Sequence, residues 1–140
     1  MFNTIKEAVK NFVDSIEAHI DECKDEKIEG FISKISIRGD ENYDIYVIVP
    51  HEKLTYMSHY YFGEDEYDPK DLTNEIANLI IGNAKIIAAK KNINFNISTP
   101  EFLGEYKEIE YDEKLSFRFN HNKCFLFYLR KLPIKGGNSV

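Results

Sequence analysis

The chain has 140 residues, a formal net charge of −6 and 43% hydrophobic residues, which is typical of one soluble globular domain. The acidic balance argues against a nucleic-acid partner, because binding to a phosphate backbone requires clustered lysine and arginine. No segment approaches the roughly 18 continuous apolar residues of a membrane span, and the charged N-terminus is unlike a secretory signal, so we expect no membrane association and a cytoplasmic protein.

The first half of the chain predicts two helices separated by a β-hairpin. Apolar residues recur every three or four positions over residues 3–22, which indicates an amphipathic helix. Residues 28–38 and Tyr43–Val49 read as two strands joined by turn residues. Pro50 ends the second strand, and a short helix is expected over residues 51–62.

A long helix is predicted from Pro69 to about Lys91, with Asp68 as its N-cap and Asn92 as a left-handed stop. At about 100° per residue, its apolar positions cover most of the circumference; they are Leu72, Ile76, Ala77, Leu79, Ile80, Ile81, Ala84 and Ile87. The remaining narrow strip carries Asp71, Glu75, Asn78, Gly82 and Lys85 at i, i+4, i+7, i+11 and i+14. A carboxylate and an amide therefore lie one turn apart on the exposed side.

The last third of the chain is β-like, and four further strands are predicted at residues 94–98, 105–111, 115–119 and 124–130. Together the elements predict an α+β fold, in which an N-terminal helix and a long central helix pack on a mainly antiparallel sheet. We expect a single domain over residues 1–132 and a disordered C-terminal tail over residues 133–140.

The residues of the long helix resemble the chemotaxis phosphatase family of CheC, CheX and FliY. The family signature is an acid, three residues, Glu, two residues, Asn, and a proline about twenty positions later. Here Asp71, Glu75, Asn78 and Pro100 match it. The run EIANLIIGNAK at residues 75–85 and the run NFNISTP at residues 94–100 look most similar to the CheX branch.

This resemblance implies a phosphatase that hydrolyses the phospho-aspartate of a CheY-type response regulator in bacterial chemotaxis. Asn78 would orient the hydrolytic water, and Glu75 would bind the lysine of the regulator's active site. Asp71, Gly82 and Lys85 would be further partner contacts. No cofactor or metal of the protein's own is expected, since the Mg²⁺ belongs to the regulator, and the CheX branch further implies a homodimer.

Simpler interpretations remain open at this point. The same helix could belong to a non-catalytic module that binds a response regulator, or to a dimeric adaptor in which Glu75 and Asn78 are an ordinary solvated face. Gly82 could serve close helix packing, and Asn83 could be a buried amide bonded to a neighbouring backbone. The acidic turn at residues 40–44 could suggest a Ca²⁺ site, but it lacks the twelve-residue ligand spacing of an EF-hand, which favours a solvated hairpin. Cys23 and Cys124 show no disulfide or zinc pattern, so both are expected to be reduced.

Overall fold

The computed structural model describes residues 1–15, 20–22, 29–51, 54, 58, 59, 63, 66–119 and 125–132. In these residues the helices are α1 (Phe2–Ser15) and α2 (Pro69–Lys90). The strands are β1 (Ile20–Glu22), β2 (Phe31–Gly39), β3 (Tyr43–Val49), β4 (Phe95–Ile97), β5 (Glu101–Glu105), β6 (Glu113–Phe119) and β7 (Phe125–Lys131).

The strands form one antiparallel sheet in the order β1-β6-β7-β3-β2-β4, with β5 also paired to β2. β4 pairs with β2 at Ile37–Gly39, and β5 pairs with β2 at Phe31–Lys34. The two short strands thus follow one another along the same edge of the sheet. The break between them contains Pro100, which has no N–H to donate to a strand ladder.

Both helices pack on one face of this sheet. Alternate residues of β2, β3 and β7 share a buried cluster with apolar side chains of α1 and α2; the strand members include Ile35, Ile37, Ile45, Val47, Phe127 and Leu129. The opposite face holds a smaller cluster around Ile32, Ile48 and Tyr128. The α+β architecture predicted from the sequence, with both helices on a mainly antiparallel sheet, is therefore confirmed.

Two predicted elements were wrong. The first helix is described over Phe2–Ser15 and does not continue to residue 22, because Ile20–Glu22 pair with β6 as an edge strand. Residues 106–111 are not a strand, because β5 ends at Glu105. Their aromatic residues instead pack on Tyr128: the Tyr106 hydroxyl lies 3.3 Å from the Tyr128 hydroxyl, and the Tyr111 ring stacks on the Tyr128 ring at 4.5 Å.

Some predictions fall outside the described residues. These are the tail at 133–140, both cysteines and most of the short helix at 51–62. Within that short helix, His51, Leu54, Ser58 and His59 are helical where the structure describes them, and Leu54 is buried in the main cluster.

Candidate functional site

Helix α2 begins and ends where local chemistry predicts. The side chain of Asp68 accepts a hydrogen bond from the Lys70 N–H at 2.9 Å, and Pro69 occupies the first turn, where its missing N–H costs nothing. At the other end Asn92 adopts a left-handed φ of 62°, a conformation that asparagine tolerates better than most residues. The predicted caps therefore account for the length of the helix.

Most of the circumference of α2 is buried. The buried residues are Leu72, Thr73, Ile76, Ala77, Ile80, Ile81, Ala84, Ile87 and Ala88. The sequence analysis did not place Thr73 among them. Its hydroxyl is fully buried and has no hydrogen-bond partner in the described part of the chain. Burial on this scale fixes the rotation of α2 about its axis, so the side chains that face outward are set by packing.

The outward strip carries the residues that the sequence singled out. Asp71, Glu75, Asn78 and Lys85 are exposed, and Gly82 is partly exposed. Neither Glu75 nor Asn78 has a hydrogen-bond or ion-pair partner within the described ranges. Because positions i and i+3 are neighbours on a helix surface, the two side chains form one polar group that is free to contact a second molecule.

Asn74, which the sequence analysis missed, attaches this part of α2 to the sheet. The Ser33 hydroxyl on β2, itself fully buried, donates to Asn74 Oδ1 at 2.8 Å. Asn74 also borders an open cleft of about 580 Å³ between α2 and the β4–β5 edge, which Lys70 and Lys34 line as well. The bond between Ser33 and Asn74 therefore holds the turn that carries Glu75 against the core.

Asn83 connects α2 to α1. It is partly exposed, and its Oδ1 accepts a hydrogen bond from Asn11 Nδ2 on α1 at 3.2 Å. The expectation of a buried amide bonded to backbone was therefore wrong, since the partner is a side chain. About two turns further along, Lys91 Nζ lies 3.5 Å from Glu7 Oε2. These contacts hold the flank of α2 that faces α1.

Gly82 has no packing role that the structure shows. A Cβ atom built on it would meet nothing within 4 Å, and its backbone is ordinary helix. A glycine inside a helix is less favourable than alanine by roughly 1 kcal/mol, and no close approach within the described residues offsets that cost. The interpretation of Gly82 as an aid to close intramolecular packing is therefore not supported.

A second residue missed by the sequence analysis is Ile86. Its side chain is 58% exposed, and it follows Gly82 by four positions, which places it on the same outward strip. An apolar residue at this spacing from Gly82 could have been noticed in the sequence, but only its exposure in the folded structure separates it from the buried isoleucines of the helix.

The acidic turn between β2 and β3 serves the sheet. Asp44 Oδ1 accepts hydrogen bonds from the Ser36 hydroxyl at 2.9 Å and from Arg38 Nη2 at 3.2 Å, and Lys34 Nζ lies 3.7 Å from Asp44 Oδ2. Burial alone would raise the pKa of Asp44, but these hydrogen bonds and positive charges outweigh it and hold the pKa below its usual value. Asp40 accepts from the Asn94 N–H at 2.8 Å.

Among the described residues, no group of three or more His, Cys, Asp or Glu side chains is arranged to hold a metal ion. None of the helices described is long and apolar enough to cross a membrane.

Comparisons with known proteins identify the fold. No family model and no curated protein matches the sequence. The structure is similar to CheX from Desulfovibrio desulfuricans, with 17% identity over 93% of this chain and 97% of that chain and a TM-score of 0.69. It is similar to CheX from Vibrio vulnificus, with 17% identity over 91% and 96% of the two chains and a TM-score of 0.70.

A third similar structure is a CheX–CheY–BeF₃–Mg²⁺ complex from Borrelia burgdorferi, with 18% identity, coverage of 93% and 97%, and a TM-score of 0.68. The chain thus has the fold of the CheX, CheC-like and FliY chemotaxis proteins. Among these, the CheX proteins align with it over nearly their whole length, so the resemblance to the CheX branch is confirmed at the level of the fold.

Proposed function

We propose that this protein dephosphorylates the phospho-aspartate of a CheY-type response regulator in bacterial chemotaxis. The observation that carries the proposal is the pair Glu75 and Asn78, exposed and unpartnered within the described residues, one turn apart on a helix whose other faces are buried. The shared fold with a CheX that was crystallised with CheY supports a regulator of that class as the partner.

The substrate explains why so few residues suffice. An aspartyl phosphate is an acyl phosphate, which is already activated toward hydrolysis, so the catalyst does not need a nucleophilic side chain. It needs to hold one water in line with the phosphorus atom and the leaving carboxylate oxygen. A single well-placed side chain on a rigid helix can do this when the partner protein supplies the rest of the site.

Asn78 suits this task because its amide is neutral and has both hydrogen-bonding characters. Its carbonyl oxygen can accept a hydrogen bond from the attacking water, and its NH₂ group can donate to a phosphoryl oxygen. A carboxylate at the same position would be repelled by the phosphoryl charge. The burial of α2 fixes the backbone from which Asn78 extends, so only the side-chain rotamers of Asn78 remain to be ordered when the complex forms.

Glu75 would dock the helix by an ion pair with the lysine of the regulator's active site. Asp71 and Lys85 would contact the rim of the partner, and Gly82 would let the partner's backbone approach α2 closely. The Mg²⁺ that shields the phosphoryl oxygens would be bound by the regulator, so this chain would contribute no metal or cofactor. We place the protein in the cytoplasm with its substrate, and we expect a homodimer, as the resemblance to CheX implies.

The proposal is tested by the decay of a phosphorylated CheY-type regulator, followed with catalytic amounts of the protein. We expect the wild type to accelerate decay and Asn78→Ala to lose about a hundredfold in rate, which corresponds to roughly 3 kcal/mol of transition-state stabilisation. Glu75→Gln should raise KM. Two matched controls, Asn96→Ala and Glu108→Gln, change exposed residues that lie outside α2 and should leave the rate unaltered.

The same assay separates the rival function. If the wild type binds the phosphorylated regulator and leaves its decay at the spontaneous rate, the protein is a regulator-binding module and the catalytic proposal is wrong. If Asn78→Ala and the wild type accelerate decay equally, a catalyst exists, but Asn78 is not the residue that orients the water.

A further inference from the structure

One apolar side chain on the outward strip of α2 has no role within the described fold. Ile86 is 58% exposed, and the one other large hydrophobic residue exposed in the described ranges is Tyr111, at 45%. Tyr111 is stacked on Tyr128, so its position is explained by the fold. Ile86 instead projects from the strip that carries Glu75.

Gly82 lies between these two residues and leaves the surface flat. An added Cβ there would meet no atom within 4 Å, so the fold itself would accept alanine. Alanine would also favour the helix. Without a side chain at position 82, the backbone of a partner can approach α2 closely.

The helical spacing places Ile86 on the same outward strip of α2 as Glu75 and Asn78, but further along the helix. It follows Glu75 by 11 residues, which is close to three turns, and it lies about 12 Å beyond Asn78 along the helix axis at 1.5 Å per residue. A partner that covers both Asn78 and Ile86 must therefore span at least this distance, as the surface of a protein does. Its contact with Ile86 would fall outside its own active-site cleft.

We infer that Gly82 and Ile86 form an apolar affinity contact with the surface of the response regulator, next to its phosphorylation site. This inference rests on the proposed function, since the occupant is the same regulator that Glu75 and Asn78 engage. The contact acts on association alone, because neither residue reaches the reacting atoms. This contact would favour regulators whose surface next to the phosphorylation site is complementary to it. Asn78 and Glu75 would instead contact groups in the active-site cleft of the partner.

The first test is Ile86→Ser, measured by direct binding to a phosphorylated CheY-type regulator and by the KM and kcat of dephosphorylation. We expect Kd and KM to rise about tenfold, which follows from the apolar area that the exposed part of an isoleucine would bury, with kcat at saturation unchanged. Tyr111→Ser removes the other exposed hydrophobic, on the opposite face of the sheet, and should change neither constant.

The second test is Gly82→Ala, which separates stability from binding. The melting temperature should rise, since the helix gains alanine and the Cβ meets open space, while Kd and KM increase several-fold. A higher melting temperature with unchanged Kd would overturn the inference. A lower melting temperature would show that Gly82 has an intramolecular role, which would overturn it as well.

The outcomes distinguish this inference from the function on which it rests. If the wild type catalyses decay and Ile86→Ser has the same KM and Kd, the apolar contact is wrong and the phosphatase stands. If the wild type neither binds the regulator nor alters its decay, both fail together. If Ile86→Ser instead dissociates a dimer of this chain in sedimentation, with Kd for the regulator unchanged, a second copy occupies the surface and the inference is overturned.

Discussion

Replacement of Asn78 by aspartate changes almost nothing except charge and one donor, which makes it the sharpest perturbation of the site. The two side chains have nearly the same shape. Asn78→Asp keeps an oxygen that can accept a hydrogen bond from water, but it removes the NH₂ donor and adds a negative charge. We expect the variant to dock poorly on a phosphorylated regulator and to lose at least about a hundredfold in rate, for the electrostatic reason that follows.

The magnitude follows from the charge that the variant would bring to the phosphoryl group. Two like charges about 4 Å apart at an effective dielectric constant near 20 repel by roughly 4 kcal/mol. If residual water at the interface lowers this repulsion to about 3 kcal/mol, the rate still falls by a factor of roughly 100. The lost donor adds to this, because a charge-assisted hydrogen bond to the phosphoryl oxygen is absent.

The fold should tolerate the change. Asn78 is exposed and has no partner in the described residues, and asparagine and aspartate have similar helix propensities. The new carboxylate would lie one turn from Glu75, and such like-charge neighbours cost a helix about 0.2–0.5 kcal/mol. A thermal melt should therefore move by no more than about 2 °C.

The assay is the decay of phosphorylated regulator over a range of concentrations, so that kcat and KM separate. Asn78→Gln is the matched control, because it keeps a neutral amide and moves it by one methylene; it should bind the regulator and lose rate by misplacing the water. If Asn78→Asp retains the wild-type rate with its fold intact, the argument that a neutral amide is required is refuted.

Three further predictions concern the scaffold. Ser33→Ala should lower the free energy of unfolding in urea by about 1 kcal/mol and raise KM, because Asn74 loses its donor; unchanged values for both would remove the bond as a support of the site. Thr73→Val should raise the melting temperature without altering dephosphorylation, since it replaces a buried hydroxyl that lacks a partner, and a lower value would contradict this. Asp44→Asn should destabilise the protein at neutral pH by about 1–2 kcal/mol. Because the folded pKa of Asp44 lies below its unfolded value of 3.8, that difference is full above about pH 4 and should close as pH falls further; a constant difference down to pH 2 would be inconsistent with it.

The parts of the fold that the sequence predicted are those set by local signals. Strand β3 was predicted with its observed bounds, and α2 was predicted within one residue at its C-terminal end. Asp68, Pro69 and Asn92 mark the ends of α2 through hydrogen bonds and backbone angles that involve only their near neighbours. The burial of one side of this helix follows from its 3.6-residue period.

The parts that could not be predicted depend on distant contacts. Ile20–Glu22 continue an apolar helical pattern in the sequence, and only their pairing with β6 makes them a strand. Tyr106 and Tyr111 are residue types that favour strands, and only the folded structure shows that they pack on Tyr128 instead. No local pattern reports that position 128 lies next to positions 106 and 111, because the tertiary fold alone brings them together.

In the candidate site, too, the residues marked by local patterns were predicted and the contacts between distant residues were not. Glu75 and Asn78 were predicted from the family signature and the helical period, and the structure leaves both exposed on α2. The bond from Ser33 to Asn74 and the bond from Asn11 to Asn83 join residues 41 and 72 positions apart, so neither was visible in the sequence.

The most direct test of the central claim is a crystal structure of this protein bound to a CheY-type regulator whose aspartate carries a phosphoryl mimic. We expect the Asn78 amide within hydrogen-bonding distance, about 2.7–3.2 Å, of the mimic or of a water in line with it, and the Glu75 carboxylate paired with the regulator's lysine. A complex in which α2 faces solvent and the regulator binds elsewhere would contradict the account.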